Sequence, residues 1–179
     1  MTQYFFMEQD NTLLDVIGLR DFDIYGKRHI FTWDDIDRIN DITSLYLDEN
    51  RGECVPDFIK SPVYMVSDMV RRVIDMYEDD LTFKKIVLIH KDEMRELAYY
   101  HLLLKEIEAL DETTQYYDNG MEKRMILNRD KIGDHKAFLL ADSRIKLPVV
   151  SLEVVESLLR RHVMGVQFKE IEVIGNGRD

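Results

Sequence analysis

At 179 residues and 45% apolar content the chain is long enough to bury one sizeable core, and a single domain spanning 1–179 is expected. Thirty-five Asp and Glu against 24 Lys and Arg leave a net charge of −11, which repels phosphate backbones and anionic lipid, so neither nucleic acid nor membrane is an expected partner and basic proteins are. No apolar run approaches the roughly 20 residues of a membrane-spanning helix, the first residues lack the pattern of a secretory leader, and the one cysteine, Cys54, forms no internal disulfide; a cytoplasmic location is expected.

In chain order, "QYFFMEQDNTLLDVIGL" predicts a strand, a turn at "EQDN" and a second strand. Thr32 then predicts the cap of a short helix through "WDDIDRIN", because its hydroxyl suits an early backbone amide and Asp34 and Asp35 suit the positive helix start; Ile36 and Ile39 would face inward. Phe31 to Asp57 holds eight carboxylates (Asp34, Asp35, Asp37, Asp41, Asp48, Glu49, Glu53 and Asp57) against Arg38 and Arg51. Most acidic runs are solvated faces, and this one also fits a basic partner. "DENRGECVPDF" reads as a loop in which Cys54 is a half-buried thiol with no activating base nearby.

"PVYMVS" predicts a strand, and Ser67-Asp68 the start of a helix with Val70, Val73, Ile74 and Tyr77 on its inner face, ended by "EDD". "FKKIVLI" reads as a strand inside a sheet. "ELAYYHLLLKEIEAL" fits either period; its place after a strand and a short polar link favours a meander strand. Asn119-Gly120 predicts a type I′ hairpin flanked by Gln115 to Tyr117 and Arg124 to Asn128, and "KAFLLAD" predicts one more strand.

"PVYMVSDMVRRVIDMYEDDLTFKKIVLI" has a counterpart in "PVVSLEVVESLLRRHVMGVQFKEIEVI". With Ser67 on Ser151, Val66 meets Val150, Val70 meets Val154 and Ile74 meets Leu158; one residue of slip later, Phe83 meets Phe168 and Ile86 meets Ile171. Each copy reads strand, capped helix, strand, with Arg160, Arg161 and His162 at the negative end of the second helix. Similar packing demands alone can generate such likeness, so the repeat speaks to fold only. The expected fold class is α+β: a mixed, mainly antiparallel sheet with two packed helices, near Asp68 to Tyr77 and Leu152 to His162. Residues 1–55 would form a smaller acidic N-terminal portion, 56–174 the core and 175–179 a frayed tail.

Catalytic signatures are absent. His29, His90, His101, His135 and His162 lack metal-ligand spacing, and no glycine loop for phosphate or G-x-S-x-G elbow occurs, so no metal or cofactor is expected. Pro56-Asp57 with Asp134-His135-Lys136 loosely matches the carboxylate and lysine set of metal-dependent nucleases, but the spacing is long and the net charge opposes a nucleic-acid substrate.

The succession of "WDDI", "VPDFIKSPVYMVSDMVRRVIDMY", "FKKIVLI", a Tyr-rich strand, "IKLPVVSLEVVESLLRR" and "MGVQFKEIEV" resembles bacterial immunity proteins of polymorphic toxin systems, in which Val150-Ser151 leads a helix and Gly165 to Phe168 opens a terminal strand. The resemblance covers roughly Trp33 to Val173 and implies an antidote that binds and neutralises a cognate toxin without catalysis. Carboxylates beside an aromatic anchor suit that task, and the expected partner-binding residues are Trp33, Asp34, Asp35, Asp37 and Asp41 with Glu78, Asp79 and Asp80. Trp33 has a second reading as core. A generic protein-interaction or scaffold module is the competing class.

Overall fold

The computed structural model describes residues 3–20, 30–48, 50–79 and 81–175. It is an α+β structure built on two large sheets, where one was expected, plus a small ribbon. The strands are β1 (Tyr4–Gln9), β2 (Ile42–Tyr46), β3 (Phe58–Ile59), β4 (Met65–Ser67), β5 (Lys85–His90), β6 (Arg95–His101), β7 (Glu106–Ile107), β8 (Gln115–Tyr116), β9 (Glu122–Arg124), β10 (Ile126–Asn128), β11 (Ala137–Leu140), β12 (Val149–Ser151) and β13 (Val166–Ile174). The helices are α1 (Asp68–Tyr77), α2 (Arg129–Ile132) and α3 (Leu152–Arg160), with a 3-10 helix at Trp33–Arg38.

One sheet runs β10-β13-β1-β12-β11-β7 and the other β2-β5-β6-β4-β3. The repeat is real in three dimensions. In both sheets two parallel strands joined by a helix flank one antiparallel strand, β6 between β4 and β5, and β1 between β12 and β13. The likeness extends outward, since β3 pairs with β4 as β11 does with β12, and β2 lies parallel to β5 as β10 does to β13. The chain therefore holds two copies of one five-stranded unit, and the middle strand of the second copy is supplied by the N-terminus. β1 is thus an inner strand of the core sheet, although the sequence assigned residues 1–55 to a smaller N-terminal portion.

Alternation distributes the core. Val66, Val150, Leu139 and Met7 face α1 and α3, which pack on each other through Val70, Val73, Ile74, Val154, Val155 and Leu158. Tyr4, Phe138, Leu140 and Val149 face a second cluster closed by Ile132 of α2, and Leu45, Ile86, Leu88 and Tyr99 face a third. Burying Val70, Val73 and Ile74 completely contributes about 1.5–3 kcal/mol each, which is why a ten-residue helix of middling propensity holds. Ser67 caps α1 by accepting from the Val70 N–H, whereas the Ser151 hydroxyl donates to Glu153.

Several expectations change in detail. The second N-terminal strand is only two isolated bridges, Val16 to Cys54 and Leu19 to Leu47. "PVYMVS" is a strand from Met65 onward, and "ELAYYHLLLKEIEAL" breaks after His101 and resumes at Glu106. The hairpin is not type I′: Gly120 alone takes a positive φ of 75°, its N–H returns to the Tyr117 carbonyl, and the Tyr117 N–H donates to Met121, which makes a three-residue loop. Its second strand is Glu122–Arg124, while Ile126–Asn128 leaves to join β13. The last tail residues, 176–179, lie outside the described residues.

Candidate partner-binding surface

Trp33–Arg38 of the acidic stretch folds as a 3-10 helix, a form found mostly in short pieces such as this six-residue one. Ile39 is buried just beyond its end and Ile36 half-buried. Asp35 closes the first turn by accepting from the Thr32 N–H and also meets Arg38 at 3.2 Å. The Trp33 N–H donates to the Leu104 carbonyl at 3.0 Å, which ties the segment to the link between β6 and β7. The Trp33 ring is half-buried, neither core nor free, and the Lys105 ammonium stands 5.9 Å from its centroid.

Asp34 and Asp37 are exposed. Asp41, 89% exposed at its side chain, receives a hydrogen bond from the Lys84 ammonium, and that bond, aided by the charge itself, holds the Asp41 carboxyl below its ordinary range. Lys84 therefore offsets one of the four charges, and Arg38 another. Lys84 and Lys105 escaped the sequence reading because no local spacing links residues so far along the chain to the acidic helix.

Lys105 also lines an open cleft of about 450 Å3 with Glu78, Asp79, Lys131, Asp134 and His135. This brings Asp79, which is exposed, toward the Trp33 segment through one shared cation. Glu78 is different: it is 5% exposed, and its carboxylate meets His135 Nδ1 at 2.6 Å and accepts from the Lys136 and Ala137 N–H groups. Its acceptors are spent inside the molecule, tying the end of α1 to the start of β11. Asp80 lies outside the described residues.

The nuclease-like set does not converge. The Asp57 carboxylate accepts from the Met164 N–H and its carbonyl from the Ser67 N–H, while Asp134 lines the cleft, to which Asp57 does not contribute. Among the described residues no three His, Cys, Asp or Glu are grouped to hold a metal ion. No helix among them is long and apolar enough to cross a membrane. Around the 3-10 helix the surface carries the exposed carboxylates of Asp34, Asp37 and Asp41 beside the half-buried Trp33 ring.

Comparison with curated proteins finds no match to the chain. The model of the Imm11 immunity protein family matches residues 8–173, nearly the whole length and from β1 through β13. The chain belongs to the Imm11 family of immunity proteins.

Proposed function

We propose that this protein binds a cognate bacterial toxin in the cytoplasm and neutralises it by occupancy, without turnover. The family match over residues 8–173 carries the reading. The toxin of this proposal is basic, and it meets the face formed by Trp33, Asp34, Asp35, Asp37 and Asp41, with Asp79 at the margin. The uneven charge supports this, because opposed potentials speed encounter and reject wrong partners. Glu78 contributes by holding the end of α1 in place.

Calorimetric titration against a purified candidate toxin domain, sought among the genes adjoining this chain's, tests the proposal. Tight binding that weakens with salt, and weakens by about tenfold or more when Asp34, Asp37 and Asp41 are changed to Lys, is expected. Binding that ignores both salt and the reversal removes the acidic face from the interface.

A further inference from the structure

The two copies of the five-stranded unit differ on one face. In the sheet containing β5, the side turned away from Leu45, Ile86, Leu88 and Tyr99 is built by register: Ile42 lies beside Lys85, Ser44 beside Val87 beside Ala98, and Tyr46 beside Ile89 beside the exposed Glu96, with the Lys91 ammonium 4.3 Å from the Tyr46 ring centroid at its margin. Helix α1 packs over β4 and β6 and leaves β2 and β5 open on this side. Ile42 is 62% exposed, Ser44, Lys85 and Ala98 are exposed, and Tyr46, Val87 and Ile89 are half-exposed.

The second copy serves as an internal control. Tyr4 corresponds to Tyr99 and Ile171 to Ile86, so Gln3 stands where Ala98 does, Glu170 where Lys85 does and Glu172 where Val87 does. These residues behave as an uncovered sheet face should: all three are exposed, Gln3 bonds Glu170, and Arg124 pairs with Glu172. The same fold thus accepts a carboxylate where Val87 stands and an amide where Ala98 stands, so apolar residues at those two positions are not a folding requirement.

We infer that the open face of β2, β5 and β6 is the apolar centre of the surface on which the toxin docks, with the acidic 3-10 helix as its rim. The inference rests on the proposed function. Continuity supports it, since Asp41 immediately precedes Ile42 and its partner Lys84 immediately precedes β5. Specific interfaces place a dry apolar centre inside a polar rim, and the exposed Asp34, Asp37 and Asp41 select a partner whose own rim is basic. A second copy of this chain is disfavoured by the same charge, −11 on each molecule.

The test uses the whole 179-residue chain and a purified candidate toxin domain sought among the genes adjoining its own. Ala98→Arg and Ser44→Arg place a long cation on exposed positions of the face; Gln3→Arg does the same on the second copy. Each of the first two is expected to raise Kd by about 30-fold or more, Gln3→Arg to leave it within about threefold, and thermal unfolding of all three to stay close to that of the parent. Unchanged affinity in folded Ala98→Arg and Ser44→Arg overturns the docking face while toxin binding stands. No binding by the parent protein overturns the proposed function and this inference together. Self-association of the parent that Ala98→Arg dissolves assigns the face to a second copy and likewise overturns the inference.

Discussion

Tyr4 and Tyr99 occupy the same position in two copies of one unit. Tyr4 stands between Ser151 and Ile171, Tyr99 between Ser67 and Ile86. Each hydroxyl donates to a backbone carbonyl next to the strand that follows: Tyr4 to His135 at 3.1 Å, Tyr99 to Pro56 at 2.5 Å. The following carbonyls, of Lys136 and Asp57, accept from the N–H groups of Ser151 and Ser67. Burial raises both phenol pKa values.

Removing either hydroxyl leaves a carbonyl short of its donor. Tyr4→Phe and Tyr99→Phe should each lower unfolding free energy by about 1–2 kcal/mol. The two tyrosines lie in different core clusters, so the losses should add in the double variant. Urea denaturation measures this; a strongly non-additive pair would mean that the copies do not unfold as independently packed halves of one core.

Glu78 is a buried carboxylate held by backbone N–H groups, unlike the exposed Asp34 and Asp37. Glu78→Ala strands the N–H groups of Lys136 and Ala137 and should cost on the order of 3 kcal/mol, whereas Glu78→Gln keeps an acceptor and should cost less. Toxin affinity of the folded Glu78→Gln variant should match the parent. Lost affinity with intact stability would place Glu78 in the interface after all.

Acid should weaken the fold before most carboxylates titrate. His101 is 1% exposed, edge-on to Phe31 at 6.0 Å, and burial pushes its pKa down to about 4. Between the unfolded value near 6.5 and this folded value, the unfolded chain takes up the proton and the folded chain does not. Stability is therefore full above the upper limit and falls through the window, by on the order of 3 kcal/mol in total. Replacing His101 by Phe should flatten the decline between about pH 6.5 and 5; an unchanged slope there would shift the cause to other groups.

Gly165 explains why the terminal strand opens on glycine. It takes φ of 71°, and a Cβ on it would lie 2.4 Å from the Cβ of Pro56. Its carbonyl also accepts from the Asp10 N–H. Gly165→Ala should cost about 2 kcal/mol or more through both strain and overlap, measured as a lower denaturation midpoint. A neutral substitution would show that the Pro56 loop yields freely.

The elements that the sequence disclosed best are those with local causes. Ser67 before Asp68, and Val70, Val73 and Ile74 on one side, specify α1 without reference to the rest of the chain. The acidic helix start at Asp34 and Asp35 was legible for the same reason. What depends on distant pairing was not. Nothing near Tyr4 says that β1 enters between β12 and β13, because those partners are more than a hundred residues away. The hairpin failed more narrowly: Asn-Gly fits type I′, yet pairing of Tyr117 with Met121 adds Asp118 to the loop and leaves Gly120 alone with positive φ.

Within the site, Glu78 looked like its neighbours Asp79 and Asp80 because sequence does not show which carboxylate a later segment, Lys136-Ala137, will close over. The open face was hidden in "FKKIVLI", where an uninterrupted apolar run reads as a strand covered on both sides. Only register and exposure together reveal Val87 and Ile89 as the outward half of it.

The most direct measurement is growth of a toxin-sensitive bacterial strain co-expressing this protein with its proposed cognate toxin. The account predicts that the parent protein restores growth and that Asp34, Asp35 and Asp37 changed together to Lys abolish the rescue while the purified variant remains folded. Continued death in the presence of the parent protein would contradict neutralisation itself, and full rescue by the triple reversal would contradict the acidic rim.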